Sequence, residues 1–225
     1  MPFETTAPVV VLGARYGGLG AARSLGRLRI PVYAVHDQQR APALSSRYWR
    51  RTFFWDFAQP AADSTQFLLG IAALIGRRCL LLATTDPLAL FIADHAEALQ
   101  EAFDFPTMSP TVLTALVHKG EMRLLAEAAG ISTPQAIFPQ SMEEAVAFGR
   151  RAIFPLMMKA IDPRLPQGRY NAIVHNEKDL STQLAALGTG ALGNLMLQEY
   201  IPGGDESVWM FNGYFNARGD CLATS

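Results

Sequence analysis

The sequence has few of the residues on which several protein classes depend. It contains only 2 cysteines among 225 residues, and Cys79 and Cys221 both lie within apolar runs. This distribution favours free thiols in a cytoplasmic core over a disulfide framework. The N-terminus lacks the basic start and apolar stretch of a signal peptide, and Arg77 and Arg78 interrupt the most apolar region. We therefore predict a cytoplasmic protein that does not enter a membrane.

The chain also lacks a surplus of charge of either sign. Its 19 basic and 20 acidic residues leave a formal net charge of -1, so no overall positive field attracts nucleic acid or anionic lipid. The only lysines are Lys119, Lys159 and Lys178. A lysine at a motif position is therefore more informative here than in an average sequence. Nucleic acid is not predicted as a partner.

Several catalytic motifs are absent. The sequence has no Gly-Lys pair for a P-loop and no G-x-S-x-G nucleophile elbow. His36, His95, His118 and His175 show no metal-ligand spacing with one another or with the cysteines. We interpret each histidine as a surface or loop residue, and no residue is predicted to bind a metal.

Alternating strand and helix patterns predict an α/β domain over residues 1–112. A continuous apolar run at 8–12 is typical of a strand buried in a parallel sheet. A helical stripe over 17–28 and a second strand ending at His36 complete a βαβ unit. Further helical patterns flank a third apolar strand at 79–84. The pattern therefore predicts a Rossmann-like domain with a parallel sheet.

The glycine cluster after the first strand is not a dinucleotide fingerprint. Gly13, Gly17, Gly18 and Gly20 have neither the G-x-G-x-x-G spacing nor that of short-chain dehydrogenases. No lysine has a tyrosine four residues before it, as the latter enzymes require. Asp37 follows the second strand, where a ribose-binding carboxylate is expected, but one acidic residue is weak support for a nicotinamide or flavin.

Two other interpretations of the cluster remain open. The glycines could simply permit a tight turn between strand and helix. Alternatively, backbone N–H groups at the helix N-terminus, beside Arg15 and Tyr16, form a cradle for a carboxylate or phosphate. On this interpretation Gly13, Arg15, Tyr16, Gly17 and Gly18 are candidate substrate-binding residues.

The second half of the chain has α+β texture with antiparallel character and three features that suit a nucleotide. Lys159 lies in the apolar stretch FPLMMKAI, where a buried ammonium needs a partner; a phosphate and water at a sheet edge are the alternatives. Lys119 begins a helix, where its charge opposes the helix dipole. LQEYIPGGDESVW predicts a strand, a tight turn and a second strand, as in a nucleotide-binding hinge or an ordinary hairpin.

These motifs, in this order, resemble the ATP-grasp superfamily, in particular its ATP-dependent carboxylate-amine ligases and carbamoyl-phosphate synthase-like carboligases. The resemblance covers nearly the whole chain, from VVLGARYGGLGAARSLG and SSRYW through LLLATTDPLALFIADHAEAL, HKGEMRLLAEAAGISTP and FPLMMKAID to LQEYIPGGDES. It implies an α/β fold in which a Rossmann-like pre-ATP-grasp domain with a parallel sheet (1–112) precedes an α+β ATP-grasp domain. Residues 113–197 would form its first lobe, and 198–225 the hinge and the start of its second lobe. We expect this domain to be truncated.

The resemblance implies ATP and Mg²⁺ as cofactors. Lys119 and Lys159 would bind the ATP phosphates, and Gly168 lies in the segment equivalent to the phosphate-covering loop. The Mg²⁺ ligands and the catalytic arginine of the family are expected beyond residue 225. No catalytic residue is therefore assigned within the chain.

The other nucleotide contacts implied by the resemblance lie around the hinge. Gln198 or Glu199 would accept a hydrogen bond from the adenine amino group, and the backbone of Tyr200 and Ile201 would pair with the ring. Asp205 or Glu206 would hold the ribose.

The implied reaction activates a carboxylate as an acyl phosphate, which an amine or similar nucleophile then attacks. A small-molecule carboxylate and an amine are the implied substrates, and a homodimer is left open. Two alternatives remain: an NAD(P)-dependent Rossmann oxidoreductase, and a catalytically inactive nucleotide-binding module.

Overall fold

The computed structural model describes residues 5–38, 40–161, 170–216 and 218–225. The chain divides into two compact units, Met1–His118 and Lys119–Ser225. The domain boundary predicted at residue 112 falls inside a helix, Pro110–Val117, of the first unit. Each unit contains its own sheet and its own hydrophobic core.

The first unit is an α/β structure around a parallel sheet. Its five strands lie in the order β3-β2-β1-β4-β5, and every neighbouring pair is parallel. This confirms the α/β class and the parallel sheet predicted for the first half. The elements are β1 (Val9–Leu12), α1 (Tyr16–Arg27), β2 (Val32–His36), β3 (Trp49–Phe54), α2 (Ala61–Ile75), β4 (Cys79–Ala83), α3 (Asp86–Asp94), α4 (Ala96–Leu99), β5 (Phe103–Asp104) and α5 (Pro110–Val117).

Alternation along β1 explains why its sequence is apolar throughout. Val10 and Leu12 pack into a core that includes Leu68 of α2, whereas Val9 and Val11 pack into a second core with Ala22 of α1. A strand covered on both faces must be apolar at every position. The chain continues from β1 to one side of the sheet and later crosses to the other, so the carboxyl ends of β1 and β4 flank a topological switch point.

The second unit is built on antiparallel strands. Its four-stranded sheet has the order β6-β9-β7-β8, and a separate two-stranded sheet is formed by β10 and β11. Antiparallel character in this half agrees with the prediction. The elements are α6 (Lys119–Ala128), β6 (Ala136–Ile137), α7 (Met142–Gly149), β7 (Leu156–Ala160), β8 (Asn171–Val174), α8 (Glu177–Leu187), β9 (Leu195–Glu199), β10 (Gly213–Phe215) and β11 (Cys221–Thr224).

Of the two alternatives left open for the strand, turn and strand around Pro-Gly-Gly, a hinge and an ordinary hairpin, the hairpin does not form. β9 ends at Glu199, a short 3-10 helix occupies Asp205–Ser207, and the next strand, β10, pairs with β11. The reason is topological: β9 lies inside its sheet, with β6 on one edge and β7 on the other. No edge of β9 remains for a strand that follows the turn.

A local sequence signal in the second unit agrees with the structure. Ser141 caps α7, its Oγ accepting from the Glu144 backbone N–H at 3.1 Å, as the Ser-x-x-Glu spacing of a capping box indicates. Both cysteines are free, as predicted, but only Cys79 is buried; Cys221 lies in the exposed strand β11.

Among the helices that the structure describes, none has both the length and the apolar character needed to cross a bilayer.

Candidate functional site

The geometry of the second unit brings Lys159 and Gln198 together. Lys159 lies in β7 and Gln198 in the neighbouring strand β9, and the Lys159 ammonium donates to Gln198 Oε1 at 2.9 Å. Leu156, Met158 and Ala160 fill the buried positions of β7, so alternation places the lysine on the opposite face. Lys159 is thus half-buried on one face of the sheet, with an amide oxygen as its neutral partner.

Lys119 reaches the same end of β7. Its ammonium donates to the Ala160 carbonyl oxygen at 2.8 Å and to the Ile161 carbonyl oxygen at 3.0 Å, the two residues that follow Lys159. The first residue of α6 therefore meets the carboxyl end of a strand about 40 positions later. Sequence spacing alone does not bring these two lysines together.

The two ammonium groups influence each other electrostatically. Partial burial lowers the pKa of Lys159 from its ordinary value, and the nearby positive charge of Lys119 lowers it further. Within the described part of the chain, the acceptors of the two ammonium groups are an amide oxygen and two backbone carbonyls rather than carboxylates. The site therefore holds two like charges that a bound polyanion would stabilise.

The face of the sheet that carries Lys159 combines polar and apolar groups. The opposite face packs Leu156, Met158 and Leu197 against α7 and α8. By the same alternation, Met157, Met196 and Gln198 share the Lys159 face. An apolar surface with a few convergent polar groups is the usual character of a small-molecule site.

The predicted hinge begins where β9 ends. Glu199 pairs with the start of β6: its N–H donates to the Gln135 carbonyl oxygen at 2.7 Å, and its Oε2 accepts from the Gln135 N–H at 3.1 Å. Tyr200 and Ile201 follow outside the strand, and Ile201 is exposed. Gln198 Oε1 and Glu199 Oε2 each accept one hydrogen bond in this state. An amide or carboxylate oxygen has two lone pairs, so either side chain could still accept from an adenine amino group.

The structure shows only the positions of Asp205 and Glu206 among the remaining predicted nucleotide contacts. Asp205 and Glu206 lie in the exposed 3-10 helix after the hinge. Gly168 lies outside the described residues. Among the described residues, no group of three or more His, Cys, Asp or Glu side chains is placed to hold a metal ion.

Close packing accounts for the glycines at the substrate site predicted in the first unit. Gly13 has φ +89°, and a Cβ added there would lie 2.5 Å from Thr84 Oγ1. A Cβ on Gly18 would lie 2.1 Å from the Gly13 carbonyl oxygen. The Thr84 hydroxyl donates to the Leu12 carbonyl oxygen at 2.8 Å, which ties the ends of β1 and β4. A tight turn is therefore sufficient to explain Gly13 and Gly18.

Arg15 and Tyr16 lie at the exposed N-terminus of α1, and Tyr16 is 94% exposed. Arg15 occupies the N-cap position without a side-chain cap, and the first turn contains no acidic residue. The Gln38 amide, oriented with its oxygen toward Arg15, accepts from Nη2 at 2.6 Å and from Nε at 2.8 Å. The helix N-terminus therefore retains its unsatisfied N–H donors.

His36 departs from the sequence prediction. It is the last residue of β2 and only 6% exposed, so its interpretation as a surface or loop histidine is wrong. Its Nδ1 is buried and has no hydrogen-bond partner among the described residues. His36 pairs with Phe54 of β3, a strand that the sequence pattern did not reveal.

An apolar cavity of about 190 Å³ lies elsewhere in the first unit. Leu81 and Ala83 of β4, Ile92 of α3 and Leu113 of α5 are among its lining residues. No side chain in the lining carries a charge. The cavity therefore offers nothing to orient a charged substrate.

No protein-family model and no curated protein sequence matches the chain. Its fold, however, is similar to that of several solved structures. L-amino acid ligase from Bacillus licheniformis is 14% identical with a TM-score of 0.61, the match covering 89% of this chain and 46% of the ligase. N5-carboxyaminoimidazole ribonucleotide synthetase from Thermus thermophilus is 15% identical with a TM-score of 0.65, covering 95% of this chain and 52% of the synthetase.

A third similar structure was solved with nucleotide. The biotin carboxylase domain of the Hydrogenobacter thermophilus 2-oxoglutarate carboxylase is 19% identical with a TM-score of 0.59, covering 85% of this chain and 44% of that one. It is a dimer in complex with MgADP, ADP and bicarbonate. The chain thus spans about half the length of the structures that it matches.

These similarities define the fold as that of the N-terminal portion of ATP-grasp enzymes. The resemblance inferred from the sequence is confirmed at the level of fold. The comparisons give no support to the alternative of a nicotinamide oxidoreductase.

Proposed function

We propose that the chain is the ATP-binding portion of an ATP-grasp ligase that activates a carboxylate. Lys119 and Lys159 would contact the phosphates of ATP. The adenine would lie by the hinge, with Gln198 or Glu199 accepting from its amino group and the backbone of Tyr200–Ile201 pairing with the ring. Asp205 or Glu206 would hold the ribose, and Gly168 would belong to a segment that covers the phosphates.

The pair of lysines is the observation that carries this proposal. Two ammonium groups meet at one end of β7 with neutral acceptors in the described part of the chain, and the pKa of Lys159 is lowered by burial and by Lys119. A triphosphate would replace neutral acceptors by anionic oxygens and would neutralise the repulsion between the two cations. This arrangement is better suited to a polyanion than to a neutral ligand.

In the proposed reaction a carboxylate oxygen attacks the γ-phosphorus of ATP, and the bond from that phosphorus to the β,γ-bridging oxygen breaks. The products are an acyl phosphate and ADP. The nitrogen of an amine then attacks the acyl carbon, inorganic phosphate leaves, and the amine loses a proton. The lysines contribute charge neutralisation and positioning of the phosphates.

Mg²⁺, when bound with the nucleotide, would supply neutralisation of the negative charge on its phosphates. The described residues contain no clustered ligand set for it. No step is therefore assigned to a metal-binding residue of this chain.

The acid substrate is assigned to the N-terminus of α1, at Gly13, Arg15, Tyr16, Gly17 and Gly18. First-turn N–H groups without a side-chain cap and the exposed Arg15 side chain support a carboxylate at this position. The substrate class is a small-molecule carboxylate with an amine as the second reactant.

A ligand-dependent thermal shift tests the assignment of the nucleotide. ATP at about 100 times its Kd adds about 2.7 kcal/mol to the free energy of unfolding, whereas a ligand that does not bind adds nothing. We expect ATP and ADP to raise the Tm and NADH to leave it unchanged. A rise with NADH and none with ATP would overturn the proposal in favour of an oxidoreductase.

A further inference from the structure

His36 lies on the same side of the sheet as α1. Val32 and Ala34, two and four residues earlier in β2, pack in one core cluster with Ala22 and Leu25 of α1. Side chains two residues apart on a strand point to the same face, so His36 also points to the face that α1 covers.

His36 also lies at the end of the sheet where α1 begins. The parallel register pairs Leu12 of β1 with Val35 of β2, and the Gly13 N–H donates to the Val35 carbonyl oxygen at 2.8 Å. His36 is therefore level with the turn that leads into α1. Its face and its level together place His36 at the end of the sheet where the N-terminus of this helix lies.

Phe54 provides a packing contact for the His36 ring, but no described residue pairs with the ring atom Nδ1. The imidazole lies edge-on to Phe54 of β3, with the ring centroids 5.9 Å apart. This contact satisfies the apolar edge of the ring, whereas Nδ1 has no hydrogen-bond partner among the described residues. An unpaired polar atom in a side chain that is 6% exposed is uncommon in folded proteins, and a ligand is one of its explanations.

The N-terminus of α1, at the same end and face of the sheet, also carries unpaired polar groups. The first-turn N–H groups of α1 have no side-chain cap, and Leu19 makes the first intrahelical bond, to the Arg15 carbonyl oxygen. Gln38, two residues after His36, accepts hydrogen bonds from the Arg15 guanidinium through its amide oxygen. The helix dipole adds partial positive charge at the same point.

We propose that His36 is a binding residue for the carboxylate of the acid substrate, completing the site at the N-terminus of α1. This inference rests on the proposed function for the identity of the ligand as a substrate. The imidazole donates one hydrogen bond to the carboxylate, and backbone N–H groups of α1 donate others. Arg15 lies at the rim and supplies the compensating charge.

The test is a titration of the imidazole signals by NMR on the full chain labelled with ¹⁵N-histidine. Sodium acetate is the probe, at fixed pH and with ionic strength held constant by sodium chloride. We expect the His36 ring signals to shift and to saturate. His95 is the internal control, because its Nδ1 already pairs with the Phe91 carbonyl oxygen at 2.9 Å, and its signals should not follow acetate.

His36→Phe separates binding from structure, because phenylalanine keeps an aromatic contact with Phe54 but has no ring nitrogen. We expect the acetate affinity, followed at the Gly17 and Gly18 amides, to fall at least about fivefold with an unchanged amide spectrum elsewhere. Equal affinity in this variant, or a linear shift that never saturates in the wild type, would overturn the proposal. Saturation by inorganic phosphate without saturation by acetate would overturn the choice of a carboxylate.

The acetate titration and the measurement of ATP binding can fail separately. Saturable acetate binding in a protein that does not bind ATP would support this anion site and contradict the ligase assignment. ATP binding that depends on Lys159, together with no acetate response, would reject the role of His36 alone.

Discussion

The ammonium of Lys159 donates to Oε1 of Gln198 at 2.9 Å, from β7 to β9. This pairing defines the candidate nucleotide site more closely than either residue does alone. It provides a half-buried lysine with a neutral partner that a phosphate can replace without breaking an ion pair.

Gln198→Glu should therefore weaken ATP binding. A carboxylate at this position would pair with Lys159 and compete with the phosphates for its charge. Charge-assisted hydrogen bonds are worth about 1.5 to 3 kcal/mol, so we expect the Kd of ATP to rise at least about tenfold, measured by calorimetry. Gln66→Glu, which makes the same charge change at an exposed position on α2, is the control and should keep wild-type affinity. Unchanged affinity in Gln198→Glu would show that Lys159 does not contact the phosphates.

The lowered pKa of Lys159 predicts a pH dependence of stability. Between its folded pKa and the ordinary value of 10.5, the folded state binds fewer protons than the unfolded state. The free energy of unfolding contributed by this lysine therefore rises with pH in that window, and below it the charged form is a constant cost. Lys159→Met should remove this rise.

Urea unfolding from about pH 8 to the ordinary lysine pKa of 10.5 measures this difference, with the wild type and Lys159→Met compared at each pH. Lys178→Met is the control, because Lys178 is exposed on α8. Its curve should run parallel to that of the wild type. Parallel curves for Lys159→Met would contradict the effect of burial on this lysine.

Gly13→Ala should destabilise the first unit. The new Cβ would lie 2.5 Å from Thr84 Oγ1, at a φ of +89° that L side chains rarely adopt. Strain of this kind costs on the order of 1 to 3 kcal/mol, measurable by thermal or urea unfolding. Thr84→Ala removes the close contact and also the hydrogen bond to the Leu12 carbonyl oxygen, so Gly13→Ala should cost less in a Thr84→Ala background than in the wild type.

Gly20→Ala provides the matched control in α1, because no atom lies within 4 Å of a Cβ added there. Alanine in a helix interior is favoured over glycine by roughly 0.5 to 1 kcal/mol, so this variant should gain stability. Destabilisation of both variants to the same extent would contradict the packing explanation for Gly13.

Much of the fold could be predicted because its signals are local. The apolar run of β1 and the stripe of α1 identify the first βαβ unit, and Ser141 marks the start of α7. β3 was missed because Arg50 and Arg51 interrupt its apolar pattern. The choice between a hinge and a hairpin after β9 could not be made from the sequence, because it depends on the pairing of both sides of β9 with β6 and β7.

The candidate site, like the fold, combines residues that the sequence identifies with contacts that it does not reveal. Lys119 and Lys159 stand out in a chain with only three lysines, and the resemblance assigned both to ATP. Their meeting at one end of β7, and the pairing of Lys159 with Gln198, arise from contacts between residues about 40 positions apart. The burial of His36 was equally hidden, since its neighbour Phe54 belongs to the strand that the pattern missed.

The central claim is that Lys159 binds the phosphates of ATP, and calorimetry with ATP on Lys159→Met and Lys178→Met tests it most directly. Both variants remove one ammonium, so nonspecific charge effects are matched. We predict at least about a tenfold loss of ATP affinity in Lys159→Met and wild-type affinity in Lys178→Met. Wild-type affinity in Lys159→Met, with its fold intact by circular dichroism, would contradict the assignment of the nucleotide site.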